Sequence, residues 1–189
     1  MAGVIPERAA VKDITPGRGC IGALGRFLLD APLGAPVVEK LRRDAGPVVE
    51  FYNSRDLRKS ISGWVGADVM PTPVHDRSSC SVLIYANQGD HIGWHYDYNF
   101  YEGRHFTALL SLVNEHRLRP GLSSANLRVR KNGLVQIVST PPNTFVLFEG
   151  AYIYHGVTAL GPDERRIILS MTFCTNPATT PLKDFARRS

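Results

Sequence analysis

From residue 80 onward the chain breaks into short runs rich in apolar, β-branched and aromatic residues, each bounded by turn residues. Such spacing predicts an all-β barrel or sandwich. The runs are Ser81 to Tyr85, Ile92 to Tyr96, Phe106 to Val113, Leu127 to Arg130, Leu134 to Ile137, Thr144 to Phe148, Ile153 to His155 and Arg166 to Thr175. Between them stand Asn87-Gln88-Gly89-Asp90, Tyr101-Glu102-Gly103, Lys131-Asn132-Gly133, Pro141-Pro142-Asn143, Glu149-Gly150 and Gly161-Pro162-Asp163. Asn132-Gly133 carries the strongest hairpin signal, because both residues tolerate the positive φ angles of a type I′ turn.

The first third reads differently. Residues 1 to 34 mix Gly, Pro and charge around an apolar patch at Leu24 to Leu29, expected to be a strand or turn leading into the body. Pro36, Val37, Val38 and Leu41 before Gly46-Pro47 predict a short helix opened by proline and closed by glycine, with a second over Val48 to Tyr52. The expected architecture is therefore mainly β with helical cover, a double-stranded β-helix of the cupin-like jelly-roll type. A single domain over residues 1–189 is expected, with 1–79 as the cover and 80–175 as the core.

Composition narrows the classes. A chain of 189 residues fits one domain. The 22 Lys and Arg exceed the 17 Asp and Glu by five, but the basic residues fall in short stretches (Arg42-Arg43, Arg55 to Lys59, Arg128 to Lys131, Arg187-Arg188) and form no extended nucleic-acid footprint. Cys20, Cys80 and Cys174 are odd in number and widely spaced, which suggests neither a disulfide framework nor a structural zinc site. No signal-like or membrane-length apolar run occurs, so a cytoplasmic protein without membrane contact is expected.

The candidate chemistry begins at Gly93-Trp94-His95-Tyr96-Asp97. In a strand, positions two apart project from one face, so His95 and Asp97 can hold the same ion. His155 ends a later β-run, sixty residues on, where a barrel can return it to the first pair. Two imidazoles and one carboxylate form the facial triad of non-haem Fe(II), which leaves coordination positions open for other ligands and O2. Four Cys or His ligands would instead close the site.

A carboxylate-bearing co-substrate chelating that ion also needs a cation, and Arg165 and Arg166 open the last β-run. Their parity separates them. Arg165 shares a face with Ile167, Leu169, Met171 and Phe173, suited to packing under helices, whereas Arg166 shares one with Ile168, Ser170 and Thr172. Arg166 and Ser170 are therefore expected on the inner face, clamping a carboxylate by charge-assisted hydrogen bonds.

Across residues 82 to 175 the order of these pieces resembles the Fe(II)/2-oxoglutarate-dependent dioxygenase superfamily, in its prolyl hydroxylase and AlkB-like branch. The resemblance rests on Tyr85, on Gly89 to Asp97, on Thr144 to Phe148, on His155-Gly156-Val157, and on Arg166 with Ser170. It implies Fe(II) and 2-oxoglutarate as cofactors, O2 as co-substrate, and a 2-oxoglutarate contact for Tyr85, which stands ten residues before His95. The closing run lacks the Asn and second Arg of the AlkB-like pattern, and Leu83 replaces an Asn. Asp97 stands where the small iron halogenases of free amino acids carry a small residue, which favours hydroxylation over halogenation.

A hydroxylase of a small molecule, such as an amino acid or biosynthetic intermediate, is the leading expectation. An AlkB-like nucleic-acid or protein demethylase and a cupin-like metal-binding protein without activity are the alternatives. The polar and aromatic segment from Asp97 to Arg104 is expected to touch the substrate, with Asn99 and Arg104 as candidate contacts. His105 is a candidate pocket residue, His91 reads as a polar turn residue, and Arg55, Arg58, Lys59 and Trp64 as a solvated helix end.

Overall fold

Strand β10 (Glu164–Cys174) is the spine of the protein, pairing along its length with β5 (His105–His116) on one side and with β3 (Cys80–Tyr85) and β2 (Met70–Pro71) on the other. The computed structural model describes residues 3–5, 46–73, 76, 78–180 and 183. Leu24 to Leu29, the predicted helix up to residue 45, Arg42-Arg43, Arg187-Arg188 and Cys20 lie outside them. The large sheet continues from β5 through β8 (Phe145–Phe148) to a parallel edge strand, β1 (Gly3–Ile5). A second antiparallel sheet runs β4 (Ile92–His95), β9 (Tyr154–Val157), β6 (Leu127–Lys131), β7 (Leu134–Val138).

The eight strands expected from the turn pattern all form, as β3 to β10, with their ends shifted by a residue or a few. Asn132 and Gly133 adopt φ of 51° and 79°, as a type I′ turn requires between β6 and β7. The architecture is a mainly antiparallel double-stranded β-helix with helical cover.

Two helical segments, α1 (residues 46–52) and α2 (Arg55–Val65), lie on the large sheet. Gly46 and Pro47, expected to stop a helix, are themselves helical, since proline's fixed φ suits a helix when its missing N–H is not called upon. Ser54 caps α2 by accepting from the Leu57 N–H, and Gly66 ends it at φ 67°. Residues before 80 do more than cover the core, because β1 and β2 extend the large sheet. Cys80 and Cys174 are free thiols, and among the described residues no helix is long and apolar enough to cross a membrane.

Side-chain parity divides the interior into two layers. Leu169, Met171 and Phe173 of β10 join Phe106, Ala108 and Leu147 under the helices, against Tyr52, Leu57 and Ile61. Alternate residues turn the other way, so Tyr85, Leu127, Val129, Val146, Phe148 and Val157 pack between the sheets. The two layers explain the patterning: β8 and β10, inside the large sheet, are largely buried on both faces, while β7, an edge, exposes Leu134, Val135 and Ile137.

The helical layer has a direct test. Ile61, on the inner face of α2, is fully buried, so Ile61→Ala is expected to lower the unfolding free energy by about 2–5 kcal/mol in chemical denaturation. Leu134→Ala, at an exposed edge, is expected to stay within about 0.5 kcal/mol.

Candidate functional site

His95 and His155 sit directly opposite each other in the β4–β9 pairing, so both imidazoles project from the same face into the space between the sheets. Their ring centroids are 4.2 Å apart. Two residues past the end of that pair, Asp97 is anchored by its own N–H to the carbonyl of Gly150 at 3.0 Å. Asp97 Oδ1 then lies 3.3 Å from His95 Nε2 and 3.7 Å from His155 Nε2. One ligand atom from each residue falls within 4.8 Å of the other two, close enough for a single ion.

The remaining atoms of these side chains are occupied. His95 Nδ1 meets the Gly93 carbonyl at 2.9 Å and His155 Nδ1 meets the Ile153 carbonyl at 2.8 Å. A carbonyl only accepts, so each Nδ1 carries the proton and each Nε2 lone pair is left for a metal. The Thr107 hydroxyl donates to Asp97 Oδ2, leaving Oδ1 as the ligand oxygen. Gly150 is required here, because a Cβ at that position would stand 2.1 Å from Asp97 Oδ2.

Charge reinforces the arrangement. Burial by itself raises the pKa of Asp97, but the imidazoles of His155 and His95 and the Thr107 hydroxyl outweigh it and hold the carboxyl below its usual range. Burial lowers His95 too, yet the Asp97 carboxylate overcomes this and raises it above the ordinary histidine value. At His155 burial wins and lowers the pKa below the ordinary histidine value, against the pull of Asp97.

The three residues line a cavity of about 400 Å³ between the sheets. Tyr85, Arg166 and Ser170 line it as well. Arg166 and Tyr85 are register partners on β10 and β3, with the guanidinium 5.3 Å from the tyrosine ring centroid. Arg166 is only 1% exposed; it donates to the Thr140 hydroxyl at 3.3 Å, while its Nε is buried with no hydrogen-bond partner. No carboxylate among the described residues pairs with it. Arg165 points outward instead and pairs with Glu115 at 2.9 Å. Glu164, two residues before Arg166, accepts from Ser124 and Gly161 and makes no pair with it.

No protein-family model matches the sequence, and no curated protein does. Solved structures do. The chain is similar to an oxidoreductase of the 2OG-Fe(II) oxygenase family from Burkholderia pseudomallei, at TM-score 0.54 and 14% identity over 71% of this chain and 58% of that one. It is also similar to a non-haem monooxygenase, ThoJ, in a nickel complex, at TM-score 0.51 and 13% identity over 68% of this chain and 55% of that one. AviO1 from Streptomyces viridochromogenes Tue57 aligns at TM-score 0.50 and 14% identity over 92% and 74% of the two chains. The fold is that of the 2-oxoglutarate–Fe(II) oxygenases. The chain spans less than two thirds of the length of the first two structures.

Within this oxygenase fold, two expected substrate contacts are committed elsewhere. Asn99 accepts from the Tyr101 N–H and donates to the Gly103 carbonyl, so its amide staples the loop. Arg104 pairs with Glu149, donates to the Val65 carbonyl at the end of α2 and covers the Phe106 ring. Neither lines the cavity, because each side chain is already taken up by its own loop or by the helical layer. His91 bonds the Gly89 carbonyl as a turn residue, and Trp94 stacks on Tyr154 beneath Arg128. Sequence reasoning passed over Thr107 and Gly150. Strand parity could have found Thr107, which shares a face with His105 and Leu109, whereas Gly150 is recognisable only once Asp97 is placed beside it.

Removing the Thr107 hydroxyl in Thr107→Val is expected to weaken divalent metal binding by about 10–100-fold, read by calorimetric titration with Co(II). Gly150→Ala should weaken it further by displacing Asp97. The pH dependence follows from His95: its proton, favoured by Asp97, competes with the metal. Affinity is therefore expected to rise with pH through a midpoint above the ordinary histidine value of about 6.5, and an affinity flat between about pH 6 and 8.5 contradicts this.

Proposed function

We propose that this chain is an Fe(II)- and 2-oxoglutarate-dependent oxygenase acting on a small molecule. The observation that carries the reading is Arg166, a guanidinium 1% exposed and without a carboxylate partner among the described residues, on the wall of the cavity that also holds His95, Asp97 and His155. Desolvating an arginine costs several kcal/mol unless an anion compensates, and a dicarboxylate co-substrate supplies one.

The donor set fits the metal. Two neutral imidazole nitrogens and one carboxylate oxygen are what Fe(II) takes in oxygenases that keep positions open. When bound, Fe(II) and 2-oxoglutarate supply the oxidation of a substrate C–H bond by O2, with succinate and CO2 as co-products.

The chain's own residues do the positioning. Arg166 receives the distal carboxylate of 2-oxoglutarate, and Thr140 orients the guanidinium from behind. Tyr85, facing Arg166 across the β10–β3 pair, and Ser170, two inner-face positions along β10, flank the path from that arginine to the metal ligands. Leu83, Leu109, Leu127 and Ile168 make the walls apolar, which strengthens the carboxylate contact and keeps bulk water from the oxidising centre.

Anaerobic titration of the protein with Fe(II) and then 2-oxoglutarate tests the reading, through the weak visible charge-transfer band of the chelate. The band should form in the wild type and vanish in His155→Ala; its persistence at full strength in that variant defeats the ligand assignment. Arg166→Ala is expected to weaken 2-oxoglutarate binding by about 2–5 kcal/mol, roughly 30-fold or more. Arg165→Ala should leave it unchanged, since that side chain faces outward to Glu115.

A further inference from the structure

The two ends of the cavity differ in chemistry. Along the inner face of β10 the order is Arg166, Ile168, Ser170, Thr172, a span of about 20 Å at roughly 3.3 Å per residue. Thr107, which holds Asp97, pairs with Thr172, and the next inner-face position of β5, away from Arg166, is His105, opposite Cys174. The metal ligands therefore stand between Arg166 on one side and His105 on the other. With the co-substrate held at Arg166, the His105 side is left for the molecule to be oxidised.

That side offers few polar groups, and most are engaged. Thr172 shares its hydroxyl with Thr72 at 2.7 Å, and the buried Asp76 carboxylate accepts from Tyr101 and Ser78. His105 is different. It is 5% exposed, lines the cavity, and its Nδ1 is buried with no hydrogen-bond partner. An unpaired buried ring nitrogen costs free energy that a ligand can recover. Tyr98 and Phe100, with ring centroids 4.5 Å apart, add an aromatic wall, and Tyr98 is 54% exposed at the mouth. The loop bearing them is tied down by the residues after β10: Glu102 N–H donates to Ala178, Gly103 N–H to Asn176, and the Thr179 hydroxyl to Phe100.

Charge completes the picture. Among the described residues lining the cavity, Arg166 is the only lysine or arginine, so an anionic substrate meets no side-chain cation once the co-substrate is in place. Burial keeps the His105 imidazole uncharged, against the pull of Asp97 and Asp76.

Resting on the oxygenase reading above, we propose that the His105 imidazole is the hydrogen-bonding contact for the substrate. The substrate, or the end of it that enters, is an uncharged hydroxyl- or carbonyl-bearing molecule whose apolar face lies against Tyr98 and Phe100. A free amino acid, with its charged carboxylate and ammonium, does not suit this end of the cavity.

Three probes of equal size isolate the charge: benzyl alcohol, benzoate and benzylamine as its ammonium. Each is titrated into the protein carrying Zn(II) and 2-oxoglutarate, with the imidazole 15N and 1H resonances of His105 as the readout in the wild type and ligand-observed saturation transfer as the readout in the wild type, His105→Ala and His105→Asn. Benzyl alcohol should bind saturably and shift the His105 resonances, and the two charged probes should bind more weakly. Followed by ligand-observed saturation transfer, its affinity should fall by up to about tenfold in His105→Ala and recover in part in His105→Asn, whose amide restores a hydrogen bond. The Fe(II)·2-oxoglutarate absorption band is recorded for every variant and should remain unchanged. Binding of benzoate or benzylamine as tight as that of benzyl alcohol overturns the inference, as does an unchanged affinity in His105→Ala or no saturable binding of any probe. A wild type without the absorption band defeats the oxygenase reading instead.

Discussion

An arginine buried between two β-sheets without a carboxylate partner is an expensive arrangement, and the interior is organised around it. Arg166 donates to Thr140 and faces the ring of Tyr85, contacts that orient the guanidinium without neutralising it. A protein whose only need was stability would fill this volume with a hydrophobe, since exchanging buried ions for apolar side chains is often neutral or favourable. An anion bound at this end of the cavity would offset the desolvation of the charge.

The same economy governs the three candidate metal ligands. Each histidine has one nitrogen held by a carbonyl of its own strand segment, and the aspartate has one oxygen held by a threonine on the opposing sheet. What remains free is one donor atom per residue. The backbone supplies the approach: His95 and His155 are cross-strand partners, and Asp97 closes on them because Gly150 has no side chain to keep it out. Pre-orientation of this kind reduces the ordering cost when an ion binds.

Much of the fold was legible in the chain because the core strands are short and sharply punctuated. Asn132-Gly133, Pro141-Pro142-Asn143 and Gly161-Pro162-Asp163 stop each strand where the sheet ends, and the positive φ of Asn132, Asn143 and Asp163 shows those residues in the conformations their side chains tolerate. That Arg166 faces inward and Arg165 outward was also legible, since alternation in a strand is strict and one face of β10 is wholly apolar beyond Arg165. Asn99 and Arg104 mark where such reasoning stops. Both lie in the loop after Asp97, but a loop has no period, and their partners (Gly103, Glu149, the end of α2) could not be assigned without the packing of distant segments.

By itself, then, the sequence determined the strand inventory, the face each β10 residue takes, and the three side chains able to meet at one ion, because all of these follow from local turn chemistry and a period of two. Tertiary structure decided what lies across a gap: that His155 pairs with His95, that Thr107 and Gly150 shape the seat of Asp97, that β1 and β2 join the large sheet, and that His105 lines the cavity. The reason is physical. Local sequence sets backbone direction and side-chain alternation, whereas hydrogen-bond partners and burial depend on segments tens of residues apart brought together by the packing of two sheets and a helical layer.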